Sequence, residues 1–227
     1  MPAETMPTPK AVRPYAAQDQ KQADAIAAAR QLIETARDDA EIASILAARG
    51  YDAAGLAAGL TLQATAQAAF TARQTAMASQ QQATAALAGA EAAARQTYTD
   101  FRATARAIFA APADRTALGL AGNAPKDTQK FLTLARVSYT TAQAEAYQPA
   151  LATYGYPVTA LTAALATLDA FSTADGVQNT AIGAARQATA DRDQAVKTLA
   201  DWVKQFRRIA KVALRAQPGL AKKLELT

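Results

Sequence analysis

A run of basic residues near the carboxyl end of the sequence is its clearest candidate for chemistry. Spacings of three or four residues place side chains along one edge of an α-helix, opposite Phe206 and Ile209. Such an edge can contact the phosphates of nucleic acid or an anionic lipid surface without reading a base sequence. The candidate anion-binding site, which we call the basic edge, comprises Lys204, Arg207, Arg208, Lys211 and Arg215.

The net charge of the chain comes from the same region. Residues 201–227 contain seven basic and two acidic side chains, which accounts for the whole formal charge of +5, whereas residues 1–121 contain equal numbers of each. An excess of one sign favours a partner of the other sign. The alternative interpretation is structural, because cations near the carboxyl end of a helix complement its dipole. Arg102 and Arg106 occupy the corresponding place in the first half of the chain.

The residue types that most often catalyse reactions are missing. The chain contains no His and no Cys, which removes the commonest general base, the thiolate nucleophile and the usual ligands of transition metals. Glu34, Asp38 and Glu41 form an acidic edge, but the metal sites of ferritin-like bundles need a Glu-x-x-His sequence. We therefore predict a protein without enzymatic activity, with no catalytic residue, no metal site and no cofactor.

Four of the seven tyrosines lie close together in the sequence, at Tyr139, Tyr147, Tyr154 and Tyr156. Tyrosine combines a large apolar ring with a polar tip, which makes it frequent in protein interfaces. Two interpretations are open. The rings pack the end of a helix and the turn after it, or they form a surface for another protein or for a second copy of this chain.

The composition predicts that helices position all of these residues. Alanine is the commonest residue, while glycine and proline are few and cluster in short stretches. Alanine, glutamine and arginine lose little conformational entropy in a helix, and the alternating β-branched runs of strands are absent. The fold class is therefore predicted to be all-α.

An internal duplication organises the chain. A shift of 105 positions superposes Gly50-Tyr51 on Gly155-Tyr156 and Phe101-Arg102 on Phe206-Arg207, and a shift of one more superposes Leu118 and Leu120 on Leu224 and Leu226. Glycine just past a helix end takes a left-handed backbone at little cost, and the next residue then packs back on the last turn. Each Gly-Tyr pair therefore predicts a helix end, with Asp52 and Thr159 as candidate N-caps of the helices that follow, and Asp127 is the candidate N-cap of the third helix.

The duplication predicts a helical hairpin that occurs twice, a shorter helix followed by a very long one, in an elongated, coiled-coil-like bundle. The predicted helices are 19–49, 53–111, 127–154 and 157–216, with a short helical turn near 113–118. Pro149 should end or kink the third helix or begin its last turn. Arg73 and Gln80 interrupt the alanine and leucine stripe of the second helix. In the alternative architecture, the long helices fold back near residues 72–80 and 175–183 and form two three-helix bundles.

The predicted organisation has four parts: a flexible amino-terminal arm (1–18), a first helical repeat (19–121), a linker (122–126) and a second repeat (127–227). No export signal is evident, so we expect a cytoplasmic protein. Residues 53–72 carry no charge and include Gly55 and Gly59, but their threonines and glutamines argue against a transmembrane segment. Small residues there favour close approach of a partner helix.

Two functions are expected on these grounds. The first is a non-enzymatic structural or scaffolding protein that acts through long helical surfaces, with itself or another protein as partner. The second is an anion-binding module that uses the basic edge to bind nucleic acid non-specifically or an anionic membrane surface.

Overall fold

The structure is a computed structural model that describes residues 14–226, and within them it contains α-helices and no strand. The all-α prediction is confirmed. The helices in chain order are α1 (Pro14–Asp38), α2 (Ala40–Ala47), α3 (Ala53–Ile108), α4 (Pro112–Ala117), α5 (Thr128–Ala142), α6 (Gln148–Thr153), α7 (Val158–Ala213) and α8 (Pro218–Lys223).

The two long helices α3 and α7 are uninterrupted, and each contains 56 residues. The alternative with folds near 72–80 and 175–183 is therefore wrong. Neither helix contains proline, so no backbone hydrogen bond of the helical ladder is lost. Gly176 and Gly183 lie within α7, where an isolated glycine costs only about 1 kcal/mol relative to alanine.

The first predicted helix is two helices in the structure. The first of them, α1, begins at Pro14, so residues 14–18 of the predicted flexible arm are helical, while residues 1–13 lie outside the described part. Asp39 has an extended backbone between α1 and α2, and its carboxylate accepts hydrogen bonds from the N–H groups of Glu41 and Ile42. An acceptor at this position stabilises a new helix start. Asp39 therefore divides the predicted helix into α1 and α2. The apolar periodicity of the sequence does not reveal this division.

Both predicted Gly-Tyr helix ends are present. Gly50 and Gly155 have φ angles of 87° and 89°, in the left-handed region. In the first copy the N–H of Tyr51 donates to the carbonyl oxygen of Leu46 at 3.1 Å, and the equivalent bond in the second copy measures 3.0 Å. These are the bonds of a Schellman motif, which satisfies carbonyl groups that a helix end leaves without partners.

The helix starts agree with the prediction at two of three positions. Asp52 accepts from the N–H of Gly55 at 2.8 Å, and Asp127 accepts from that of Lys130 at 2.9 Å. Thr159 is not an N-cap, because α7 already begins at Val158. Pro149 lies in the first turn of the separate helix α6, where a missing N–H costs nothing.

The described chain forms two compact units that do not follow the order of the repeats. One unit contains residues 14–75 and 186–226, and the other contains Ala76–Ala185. The first unit therefore contains α1, α2 and the beginning of α3 from the first repeat, with the end of α7 and α8 from the second. The other unit contains the end of α3 and α4 from the first repeat, with α5, α6 and the beginning of α7 from the second. The predicted linker 122–126 lies inside the second unit, where Arg95 donates to the carbonyl oxygens of Pro125 and Lys126.

Each unit has its own apolar core. In the first unit Ile33, Leu46, Leu56 and Phe206 are fully buried. The core of the second unit is more aromatic, and its fully buried rings are Tyr98, Phe101, Phe131, Tyr139 and Phe171. Burial of such side chains contributes about 1.5–3 kcal/mol each. Repeated sequence positions therefore build two cores of different composition.

Glycine permits one close contact in the first unit. A methyl group on Gly59 would overlap with the indole ring of Trp202, which lies against this turn of α3. The small residues of 53–72 thus admit a large side chain from α7, as expected for a helix that packs closely against a neighbour. Among residues 14–226, no helix is both long enough and apolar enough to cross a membrane.

Candidate functional site

All five residues of the basic edge are exposed in the structure. Four of them lie in the last turns of α7, and Arg215 follows in the turn after the helix ends at Ala213. Within residues 14–226, none of the five side chains forms an ion pair or a hydrogen bond. The nearby Lys197 and Lys223, by contrast, pair with Asp201 and Asp39 at 2.8 and 2.7 Å. The basic edge is therefore a set of exposed cations that form no salt bridge within residues 14–226.

A groove between α1 and α7 adjoins the basic edge within the first unit. Its volume is about 500 Å³, which is in the range of small-molecule sites. Lys204, Arg207 and Arg208 line one part of it. The apolar part of the lining includes Ala25, Ile26 and Ala29 of α1 and Val196, Leu199 and Val203 of α7. The site thus offers an apolar surface and three cations together.

Small side chains explain why the groove stays open. The turn of α1 that faces it consists mainly of alanine, including Ala25 and Ala28, which are both exposed. A methyl group fills little of the space between two helices, whereas leucine at the same position would reach across it. Alanine also favours the helix itself, so α1 keeps its geometry without a large side chain at this point.

The equivalent cations of the first repeat have partners. Arg102, which corresponds to Arg207, is buried and donates to the carbonyl oxygens of Leu120 at 3.1 Å and Gly122 at 2.6 Å. Arg106, which corresponds to Lys211, donates to the same two oxygens. Burial lowers the pKa of the Arg102 guanidinium. These arginines therefore hold the turn after α4, a structural role that their counterparts in α7 do not have.

The four tyrosines of the predicted interaction surface do not lie together on the surface. Tyr139 is fully buried, with its ring 5.0 Å from that of Phe101, and burial raises the pKa of its hydroxyl. Tyr147 and Tyr156 are half-buried, each with an aromatic partner. Tyr154 alone of the four is largely exposed, at 63%. Most of this cluster therefore packs the end of the helix and the turn, the first of the two interpretations.

Two of the three carboxylates of the acidic edge form salt bridges with arginines nearby in the sequence. Glu34 pairs with Arg30 at 2.9 Å, and Asp38 pairs with Arg37 at 2.7 Å. In the part of the chain that the structure describes, no group of three acidic residues is placed to bind a metal ion. The acidic edge thus consists of ordinary exposed carboxylates.

A buried ionic cluster in the first unit was not predicted. The carboxylate of Asp19 accepts from Arg73 of α3 at 2.7 Å and from Arg192 of α7 at 3.1 Å, and both arginines are buried. Arg192 also donates to the side-chain oxygen of Gln22 at 2.5 Å. One carboxylate of α1 thus joins both long helices. The interruption of the alanine stripe by Arg73 was the only signal of this cluster in the sequence.

No family model matches the chain, and no curated protein or solved structure is significantly similar to it. The function must therefore be inferred from the arrangement of its residues.

Proposed function

We propose that this protein is a non-catalytic binding protein and that its basic edge binds an anionic partner. The observation that carries the proposal is the exposure of five cations, four in the last turns of α7 and one in the turn after it, none of which forms a salt bridge among the described residues. Lys197 and Lys223 nearby are already paired, and the equivalent arginines of the first repeat bind backbone carbonyl oxygens. The basic edge therefore brings together several exposed cations that form no salt bridge among the described residues.

The cations of the basic edge lie close enough to one another for their positive charges to act together. Charges on successive helical turns lie within about 6 Å of each other, less than the screening length of about 8 Å at physiological ionic strength, so their fields add. An anion on the edge relieves this mutual repulsion and releases counterions. Binding should therefore weaken as salt concentration rises.

Charge reversal tests the proposal. A Lys204/Arg208/Lys211/Arg215→Glu variant should lose the salt-dependent retention of the wild type on heparin and its binding to vesicles that contain phosphatidylserine. The matched control carries the same net charge through substitutions at other exposed cations, Lys21, Lys126, Lys130 and Arg186, each to Glu. The control should bind more strongly than the basic-edge variant. Equal loss in both variants would mean that net charge alone, and not this edge, governs binding.

A second candidate function is scaffolding through self-association, and one observation favours it. Tyr154 follows α6 and Val158 is the first residue of α7, and they are 63% and 47% exposed. Exposed aromatic and aliphatic side chains are frequent in protein interfaces. Sedimentation velocity over a range of concentrations tests it. Dimers or larger species that a Tyr154→Ser/Val158→Ser variant abolishes would support scaffolding, whereas a monomer at every concentration would exclude it.

A further inference from the structure

The groove between α1 and α7 is polar at one end and apolar along the rest of its length. On α7 the lining begins with Val196 and Leu199 and continues to Val203, and the cations Lys204, Arg207 and Arg208 follow in the next turn. The lining from Val196 to Arg208 spans about 18 Å along the helix, at 1.5 Å per residue. This polarity matches a molecule that has a long apolar chain and a negative charge at one end.

We propose that this groove binds one fatty acid of about the length of laurate, with the alkyl chain along the apolar lining and the carboxylate at Lys204, Arg207 and Arg208. An inorganic anion would leave the apolar lining in water, and a neutral lipid would leave three cations without a partner. A fatty acid satisfies both requirements, because its alkyl chain covers the apolar lining and its carboxylate accepts charge-assisted hydrogen bonds from the cations. The proposal rests on the proposed function for the role of these cations and adds the class of ligand.

The neighbouring charges support the position of the carboxylate. Lys223 of α8 lies beside Arg207 but is paired with Asp39, so it is not available to the ligand. Asp201 is paired with Lys197 at 2.8 Å and also interacts electrostatically with Lys204, whereas Arg207 and Arg208 form no salt bridge among the described residues. The positive end of the groove is therefore formed by Lys204, Arg207 and Arg208 alone among the lining residues.

Titration of the full chain with laurate tests the proposal. Isothermal titration calorimetry should show one laurate per chain below its micelle concentration, with a negative heat-capacity change from burial of the chain. The emission of Trp202, the only tryptophan, should change in parallel because its neighbour Val203 lines the groove. Two control compounds should not bind at the same concentrations. Dodecyltrimethylammonium has the same alkyl chain with the opposite charge, and acetate has the carboxylate without the chain. Absence of saturable laurate binding would overturn the proposal.

Substitutions in the apolar lining separate this proposal from the proposed function. Ala25 and Ala28 are exposed lining residues of α1, so an Ala25→Phe/Ala28→Phe variant fills the groove without entering the core. It should weaken laurate binding about tenfold or more and leave heparin binding unchanged. Heparin binding without laurate binding in the wild type would overturn the fatty acid alone. Laurate binding without heparin or vesicle binding would support the groove and overturn the wider anionic partner.

Two measurements exclude trivial outcomes. The thermal unfolding curve, followed by circular dichroism, should be the same for the Ala25→Phe/Ala28→Phe variant and the wild type. The matched control is Ala163→Phe, at an exposed position of α7 outside the groove, which should keep laurate binding. If filling the groove instead abolishes a dimer in sedimentation velocity and laurate does not compete with that dimer, a second copy of the chain occupies the groove and the proposal is wrong.

Discussion

Tyr51 and Phe206 contact each other edge to face, with ring centroids 5.0 Å apart and an interplanar angle of 87°. Tyr51 follows the helix end of the first repeat, and Phe206 belongs to the long helix of the second. The reciprocal pair, Tyr156 and Phe101, makes the same kind of contact at 5.5 Å and 77°. Two features that are duplicated in the sequence therefore pair across the repeats. Each compact unit is built from both copies for this reason.

Loss of the Tyr51 ring should destabilise the first unit. Tyr51→Ala removes a buried aromatic side chain and should lower the free energy of unfolding by about 3 kcal/mol. A double-mutant cycle with Phe206→Leu should give a coupling energy of about 1 kcal/mol, the usual value for an edge-to-face pair. Denaturant titration followed by Trp202 fluorescence measures both, because Trp202 contacts both rings. Tyr154→Ala, at an exposed tyrosine, should change stability by less than about 0.5 kcal/mol.

Glycine-to-alanine substitutions should have opposite effects at two positions of the long helices. Gly59→Ala places a methyl group against the indole of Trp202 and should destabilise the protein by about 2 kcal/mol. Gly176→Ala meets no neighbouring atom within 4 Å and should stabilise α7 by about 0.5–1 kcal/mol. Thermal unfolding measures both effects. A loss of stability in Gly176→Ala would contradict a continuous, open helix at that position.

Removal of the Asp19 carboxylate should be costly, although Asp19 itself is partly exposed. Asp19→Ala leaves the buried Arg73 without a carboxylate partner and removes one of the two that pair with Arg192, the other being Asp193 at 2.9 Å; it should destabilise the first unit by about 3 kcal/mol. The substitution Asp24→Ala on the same helix removes an exposed carboxylate and should have little effect.

A rescue variant distinguishes the ionic cluster from the packing of α1. Replacement of Arg73 and Arg192 by Met in the Asp19→Ala background should restore much of the stability, because no buried charge then remains without a partner. Chemical denaturation provides the comparison. Failure of the rescue, together with a stable Asp19→Ala variant, would show that Asp19 does not compensate the two arginines.

Ionisation of Tyr139 should destabilise the second unit at alkaline pH. Burial is the main cause that raises the pKa of Tyr139, and the neighbouring Tyr156 and Tyr98 raise it further. In the unfolded chain a tyrosine ionises near pH 10. Because the folded pKa lies higher, the contribution of Tyr139 to stability is complete below that pH. It is lost at about 1.4 kcal/mol per pH unit as the pH rises toward the folded value.

The substitution Tyr139→Phe tests this pH dependence. Its free energy of unfolding, measured between pH 8 and pH 12, should fall less steeply than that of the wild type. At neutral pH the variant should be at least as stable, because the buried Tyr139 hydroxyl has no hydrogen-bond partner among the described residues. Tyr98→Phe is the matched comparison and should lose stability at neutral pH, since the Tyr98 hydroxyl is 2.9 Å from that of Ser138.

Local sequence was enough to derive the all-α class, both Gly-Tyr helix ends and the caps at Asp52 and Asp127. All of these depend on neighbouring residues in the chain. A Schellman motif needs a residue that tolerates a positive φ, and a cap needs an acceptor within three residues. Such features can be derived without knowledge of any distant contact. The continuity of α3 and α7 was one of two alternatives that the sequence left open, because the absence of proline permits a long helix but does not require one.

Contacts between residues far apart in the sequence determine which side chains are buried and which are exposed. Alanine occurs on every face of α1, α3 and α7, so periodicity alone does not define which face meets a neighbour. The burial of Tyr139, the pairing of Asp19 with two arginines and the groove beside Lys204 all depend on contacts between residues far apart in the sequence. The same holds for Arg102 and Arg207. Their positions in the repeats are equivalent, but Arg102 donates to carbonyl oxygens, whereas Arg207 is exposed and has no hydrogen-bond partner among the described residues.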